Sequence, residues 1–230
     1  MKTGVVIVVN IFAHTIFGTC SQIIKNFVDI PGFVGMDEDF FLPEHSRPER
    51  EIAQSMTFEK MARTKVRTSR DWIDAILQEH NRLRDLHGVP ALKLDEELCK
   101  TSQFWVEYLG RVSEGRTLPI LFRKHWYEVG GNIWAAVGRK DANHISPTFA
   151  WYNEERYYTY GNDTYCGVET NKDNHHVDHF TQMIWQDSKT VGCAKYKNGS
   201  GHIYVVCHYQ PPGNVRGAYN ENVPKPVKLE

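Results

Sequence analysis

Two apolar segments near the C-terminus predict a β-hairpin. Residues 191–196 and 203–209 are rich in β-branched and aromatic side chains, and the turn sequence Asn-Gly-Ser-Gly at 198–201 separates them. The second segment is apolar at both alternating positions, so we expect a central strand that is covered on both faces. Cys193 and Cys207 fall on opposite arms, which would allow a covalent tie between the two strands.

Apolar residues at three- and four-residue spacing predict a helix well before the hairpin. It begins after Thr68 or Ser69, either of which can cap it, and Gly88 and Pro90 end it. Within this helix, we expect His80 to contact a backbone group or a carboxylate rather than to act as a ligand. The spacing gives one buried stripe, made of Trp72, Ile73, Ile76, Leu77, Leu83 and Leu86.

Two further helices follow from cap residues and apolar spacing. Asp95 caps the second helix, and Gly110 ends it. Ser146 caps the third, with Pro147 at the first helical position, where a missing N–H costs nothing. The polar stretch 159–177 that follows is a long loop, and long loops without regular structure are often functional.

Two long motifs, one before the hairpin and one that includes most of its second arm, carry a family resemblance. Residues 178–185 read Asp-His-Phe-Thr-Gln-Met-Ile-Trp, and residues 204–214 read Tyr-Val-Val-Cys-His-Tyr-Gln-Pro-Pro-Gly-Asn. Both resemble motifs of the CAP superfamily, which comprises cysteine-rich secretory proteins, venom antigen 5 allergens and plant pathogenesis-related class-one proteins. The chain departs from these motifs at Asp178, where Gly is usual, and at His208, where Asn is usual.

The resemblance implies a fold and a division of the chain. The fold would be α+β, a three-layer α-β-α sandwich around a mostly antiparallel central sheet, for a domain over residues 68–224. We expect residues 1–20 to be a signal peptide, residues 21–67 a linker or pro-segment, and residues 225–230 a tail. The end of the domain, residues 217–224, resembles that of the Golgi-associated plant-pathogenesis-related type.

The resemblance also implies a cleft lined by two His and two Glu. Matching the motifs gives His125, Glu154 and His179, while Gly131 stands where the second Glu is usual. Two imidazoles and a carboxylate are sufficient for a divalent cation such as zinc, with water in the open position. In the alternative interpretation, Glu154 hydrogen-bonds the histidines and braces a helix against the sheet.

The loss of one carboxylate bears on the choice between functions. A tuned acid/base site is less favoured without it, so we favour a non-enzymatic binding protein over a metal-dependent hydrolase or peptidase in which Glu154 would be catalytic. The resemblance implies partners among small hydrophobic ligands, namely sterols or fatty acids, and among proteins. Aromatic residues would either line the gaps that such ligands fill or form plain core: Trp72, Trp105, Tyr108, Trp134, Trp151 and Trp185.

The N-terminus predicts entry into the secretory pathway. A lysine at position 2, an apolar run from Val5 to Phe17 and small residues at 18–20 are typical of a signal peptide. A buried N-terminal strand is the alternative. Two glycosylation sequons, at Asn162 and Asn198, favour the same compartment.

The cysteine count agrees with secretion. Cleavage near residues 18–20 can leave four cysteines, and an even number suits an oxidising compartment. The family resemblance pairs Cys193 with Cys207. It offers no comparable support for a second bridge, so the state of Cys99 and Cys166 is left open.

Composition excludes some partners. The formal net charge of −1 gives no electrostatic case for nucleic acid or for an anionic membrane. No window holds the roughly 18 uncharged apolar residues of a membrane span. The alternative to secretion is a Golgi-associated or cytoplasmic protein, although the Met-Lys start lacks the glycine needed for N-myristoylation.

Overall fold

The computed structural model describes residues 6–8, 57–117, 119, 129–161 and 177–227. Its helices are, in chain order, α1 (Phe58–Met61), α2 (Arg70–Leu86), α3 (Glu96–Val112), α4 (Ile145–Tyr152) with a 3-10 helix (Asn153–Tyr157) after it, α5 (Asp178–Ile184) and α6 (Tyr219–Asn222). Its strands are β1 (Val6–Val8), β2 (Lys93–Leu94), β3 (Gly130–Val137), β4 (Thr190–Lys197) and β5 (His202–Gln210).

The described strands form one sheet with the order β1-β3-β5-β4-β2. Every pair is antiparallel except β2 with β4, which is parallel. The predicted hairpin is confirmed as β4 and β5. The central strand β5 is buried from His202 to Tyr209, as its continuous apolar pattern predicts.

Helices cover both faces of the sheet, which confirms the three-layer α-β-α fold. Side chains alternate along β5, so Val205 and Cys207 join the core beneath α2 and α5, while Tyr204 and Val206 join the core beneath α3. The large side chains Trp134, Trp151 and Trp185 belong to the first core, and Trp105 belongs to the second.

A buried arginine connects helix α2 to the end of α5. The predicted start is confirmed, since Ser69 is the N-cap residue, although its side chain makes no capping hydrogen bond. Near the other end, Arg84 is fully buried and donates to the carbonyl oxygens of Met183 (2.8 Å) and Trp185 (2.9 Å) at the end of α5. Burial lowers the pKa of Arg84 to about 10, so the guanidinium stays charged at neutral pH.

The predicted cap of α3 is confirmed, and the predicted end is wrong. Asp95 Oδ1 accepts from the N–H groups of Glu97 (2.9 Å) and Leu98 (3.0 Å). The helix continues through Gly110 to Val112. The reason is packing, because a Cβ at position 110 would collide with the ring of Tyr196. Glycine here permits close approach of α3 to the sheet.

The start of α4 also differs from the prediction. The N-cap residue is His144, not Ser146, and its side chain makes no capping hydrogen bond. Asn143 takes the capping role instead, because its Oδ1 accepts from the N–H of Ser146 at 2.8 Å. At its far end α4 passes into the 3-10 helix, which carries Glu154.

Strand β1 lies within the predicted signal peptide. It pairs only with the outer edge of β3, with Val6 opposite Ala136 and Val8 opposite Trp134. Its loss would leave the pairing of β3, β5, β4 and β2 unchanged, so cleavage after residues 18–20 stays a prediction. Among the described helices, none is long and apolar enough to cross a membrane.

Candidate functional site

The candidate site is built around the first turn of α5. A short helix leaves N–H groups without partners at its start, and here a side chain from the 3-10 helix supplies the acceptor. Glu154 Oε2 accepts from the N–H of His179 (3.1 Å) and of Phe180 (3.3 Å). The negative charge also lies at the favourable end of the helix dipole. Glu154 thus positions α5 against the layer formed by α4.

The second oxygen of the same carboxylate holds the His179 ring. Glu154 Oε1 lies 2.8 Å from His179 Nδ1, and both side chains are about nine-tenths buried or more, with 10% and 4% of their surface exposed. A carboxylate only accepts, so Nδ1 carries the proton. In the neutral ring the lone pair then lies on Nε2, and no hydrogen bond to Nε2 is made within the part of the chain that the structure describes.

Packing and a backbone contact fix His179 further. Its ring stacks on Trp151, with centroids 6.0 Å apart and planes 26° apart. From β3, the Asn132 side chain donates to the carbonyl oxygen of His179 at 3.0 Å. The imidazole is therefore held by α4, by the 3-10 helix and by the sheet. This orientation is preorganised rather than dependent on a ligand.

A buried chain of hydrogen bonds continues behind the site. Asn132 Nδ2 lies 3.4 Å from the Tyr209 hydroxyl, which lies 2.7 Å from His80 Nε2. His80 Nδ1 lies 2.7 Å from the carbonyl oxygen of Ile76, so the predicted backbone contact is confirmed. Because Nδ1 donates to this oxygen, Nε2 accepts from Tyr209. Burial lowers the pKa of His80 to about 4 and raises that of Tyr209, so both groups are neutral at physiological pH.

Position 131 faces away from this site. A Cβ on Gly131 would lie 3.1 Å from His208 Cδ2, on the face of the sheet that α3 covers. There His208 Nδ1 lies 2.9 Å from Thr101 Oγ1 of α3. The neighbouring Asn132 points to the opposite face, toward His179. A side chain at position 131 would therefore lie on the face of the sheet opposite the Glu154–His179 contact.

The comparison with known families decides the class of the protein. The model of the cysteine-rich secretory protein (CAP) family matches residues 77–209. The chain belongs to this family. Within the match lie the Asn132, Glu154 and His179 contacts described above.

Individual relatives agree with this assignment. The chain is 30% identical over 166 residues to human Golgi-associated plant pathogenesis-related protein 1, covering 70% of this chain and 97% of that protein. It is 31% identical to venom allergen 5 of Polistes fuscatus, covering 62% and 75%. The solved structure of NaASP2 with Zn²⁺ has a TM-score of 0.52 at 20% identity, covering 70% of this chain and 88% of that one. At that identity the likeness supports the CAP fold alone.

Of the predicted CAP cleft residues, the structure brings together Glu154 and His179. The predicted ligand His125 lies outside the described residues, as do Asn162 and Cys166. Within the ranges that are described, no three His, Cys, Asp or Glu side chains stand close enough to hold a metal ion. A cation at His179 would therefore need further ligands from beyond those ranges or from water.

The predicted CAP disulfide is confirmed. Cys193 and Cys207 are directly opposite each other on β4 and β5 and form a bridge with a Cα–Cα distance of 4.1 Å. Cys99, whose state the sequence left open, is a free and buried thiol. Burial raises its pKa to about 11, so it stays protonated and is a poor nucleophile.

The surroundings of Asn198 argue against the predicted glycosylation there. Its side chain is only 4% exposed, and Nδ2, the atom that would carry the sugar, donates to the carbonyl oxygen of Gly110 at 3.0 Å. Its Oδ1 accepts from the N–H of His202 at 2.8 Å. The amide holds the β4–β5 turn against α3, and its Nδ2 is already engaged.

The aromatic residues proposed as walls for a hydrophobic ligand lie in the core. All six are at most 8% exposed: Trp72, Trp105, Tyr108, Trp134, Trp151 and Trp185. They pack in the two clusters on either side of the sheet. Binding of a sterol or fatty acid stays a prediction, and these residues support the core interpretation.

Proposed function

We propose that this CAP-family chain is a non-enzymatic binding protein in which His179 offers its Nε2 to a divalent cation, with zinc as the first candidate. The observation that carries the proposal is the 2.8 Å contact between Glu154 Oε1 and His179 Nδ1. A carboxylate that holds the distal nitrogen of an imidazole is the usual support of a zinc-bound histidine, because it fixes both the tautomer and the ring orientation.

The donor set fits a cation that is bound by few protein groups. His179 supplies one nitrogen, and His125 is the second ligand that the sequence predicts, with water in the remaining positions. A bound cation would polarise water or a ligand oxygen there. The solved CAP structure of NaASP2 was determined with Zn²⁺, which supports the choice of zinc.

The same geometry argues against a hydrolase. A general base needs a carboxylate oxygen that can accept a proton from water. In Glu154 one oxygen is bound by the His179 ring and the other by two backbone N–H groups. Its role is therefore to position His179. A zinc-dependent peptidase activity that His179→Ala abolishes would support the hydrolase alternative instead.

Zinc titration by isothermal calorimetry tests the proposal. We expect His179→Ala and His125→Ala to abolish binding and Glu154→Gln to weaken it about 10- to 100-fold, the usual effect of removing such a supporting group. His144→Ala is the matched control, since that side chain makes no capping hydrogen bond at the start of α4. Unchanged zinc affinity in a folded His179→Ala protein would overturn the proposal.

We further propose that the protein is secreted. The Cys193–Cys207 bridge supports this, because disulfides persist in oxidising compartments and are rare in the cytosol. Mass spectrometry of the protein from eukaryotic cells should find a mature chain that starts after residues 18–20. An intact Met1 would contradict secretion and favour the Golgi-associated or cytoplasmic alternative.

A further inference from the structure

Two large apolar side chains protrude from α4. Ile145 is 51% exposed and Phe149 is 64% exposed. They are four residues apart on the helix and so lie on one face, while Thr148 and Trp151 bury the other face. Among the described residues, the other large apolar side chains with comparable exposure are isolated, namely Val215 and Val227.

Basic residues lie beside this apolar pair. Arg139 and Lys140 are exposed in the connection between β3 and α4, and Arg139 Nη1 donates to Ser146 Oγ in the first turn of α4 at 3.0 Å. From β4, the Lys197 ammonium donates to the carbonyl oxygens of Arg139 (3.2 Å) and Lys140 (3.0 Å). We name Arg139, Lys140, Ile145, Phe149 and Lys197 the α4 face.

The local charge of this region is positive. Asp141, which follows Lys140 in the chain, is paired with Lys195 at 2.6 Å. The Asp141 carboxylate also interacts electrostatically with Lys197, whereas Arg139 and Lys140 have no acidic partner among the contacts described, so the cations here outnumber this carboxylate. The formal net charge of −1 for the whole chain does not reveal this local cluster of cations.

We propose that the α4 face docks on an anionic lipid membrane. Ile145 and Phe149 would enter the boundary between headgroups and acyl chains, while Arg139, Lys140 and Lys197 would contact lipid phosphates. Protruding apolar side chains beside cations are the combination that binds peripheral proteins to anionic bilayers, since neither term alone gives firm attachment. The face shares no residue with the Glu154–His179 pair, so it is independent of cation binding.

Vesicle sedimentation of the full chain tests this proposal. We expect partition onto phosphatidylcholine vesicles that contain about 30% phosphatidylserine, weaker partition onto pure phosphatidylcholine, and loss of binding as salt rises. Phe149→Ser should lower the partition coefficient about tenfold. Arg139→Gln combined with Lys140→Gln should lower it about 30-fold.

Matched controls distinguish binding through the α4 face from nonspecific adsorption to vesicles. Val227→Ser removes another exposed apolar side chain (69% exposed), and Lys65→Gln combined with Lys93→Gln removes two exposed cations elsewhere. All variants keep the apolar N-terminal run, so its contribution cancels. Equal binding of the α4-face variants and the controls, or equal binding to neutral and anionic vesicles, would overturn the proposal. No vesicle binding by the unmodified chain would overturn it as well.

Discussion

Gly131 and His208 face each other across the β3–β5 ladder, and the His208 ring lies where a side chain at position 131 would extend. They are direct Cα partners, and a Cβ at position 131 would lie 3.1 Å from His208 Cδ2. Both positions depart from the CAP motifs, which have Glu and Asn there. The two departures are therefore in contact, and the first makes space for the second.

Restoring the family residue at position 131 should be costly unless His208 changes too. Gly131→Glu places a larger side chain against His208 and the backbone of Cys207, so we expect the free energy of unfolding to fall by about 2 kcal/mol. Adding His208→Asn should recover at least half of this loss. Urea denaturation of the wild type, both single variants and the double variant measures the coupling. Additive effects within about 0.5 kcal/mol would contradict it.

Glu154 should be essential for stability as well as for orienting His179. Glu154→Ala leaves the N–H groups of His179 and Phe180 and the His179 ring without their acceptor. We expect a loss of about 3 kcal/mol in the free energy of unfolding. Glu155→Ala is the neighbouring control, since its carboxylate accepts only from the Tyr160 hydroxyl in the described contacts. A loss no greater than that of the control would contradict the capping role.

Acid should destabilise the fold through His80. Its folded-state pKa is lowered to about 4 by burial, whereas an unfolded histidine titrates near 6.5. The unfolded chain therefore binds the proton first, and stability falls as pH drops from about 6.5 to about 4, by about 3 kcal/mol from this group.

The comparison that isolates this effect is wild type against His80→Gln. Burial lowers the pKa of His87 too, so acid sensitivity has more than one source with the same sign. Chemical denaturation across pH 4 to 7.5 should show a shallower pH dependence in the variant. An identical pH dependence of the free energy of unfolding in the two proteins would show that His80 does not cause the acid sensitivity.

Asn198 should carry no glycan. Peptide mapping of protein made in eukaryotic cells is expected to find this asparagine unmodified, because its amide is buried between α3 and the β4–β5 turn. Asn198→Ala should cost about 2 kcal/mol of unfolding free energy, since the Gly110 carbonyl and the His202 N–H lose their partner. A sugar found on Asn198 would show that the mature chain has a different turn.

Local signals in the sequence predicted helices α2, α3 and α4 and the β4–β5 hairpin, but not strand β3 or helix α5. The start of α3 follows from Asp95 and the residues that its side chain caps, and the β4–β5 hairpin follows from alternating apolar residues around a glycine-rich turn. The end of α3 does not follow from the sequence. Gly110 permits the close approach of Tyr196, and only tertiary packing brings these two residues together.

The contacts of the candidate site also depend on tertiary packing that local sequence does not reveal. The family motifs place Glu154 and His179 in one cleft, but their contact joins residues 25 positions apart, and its geometry depends on how α4 packs on α5. The bond between His80 and Tyr209 spans 129 positions, and no local pattern predicts it. The family motifs therefore predicted that Glu154 and His179 share a cleft, and the alternative interpretation included their hydrogen bond, but the contact between His80 and Tyr209 was not predicted.

The most direct test of the central claim is nitrogen NMR of the His179 ring. Long-range ¹H–¹⁵N spectra near pH 7.5 should show a protonated Nδ1 and an unprotonated Nε2, as the contact with Glu154 requires. Added zinc should shift the Nε2 resonance and leave Nδ1 protonated. A proton on Nε2 that zinc does not displace would contradict the account.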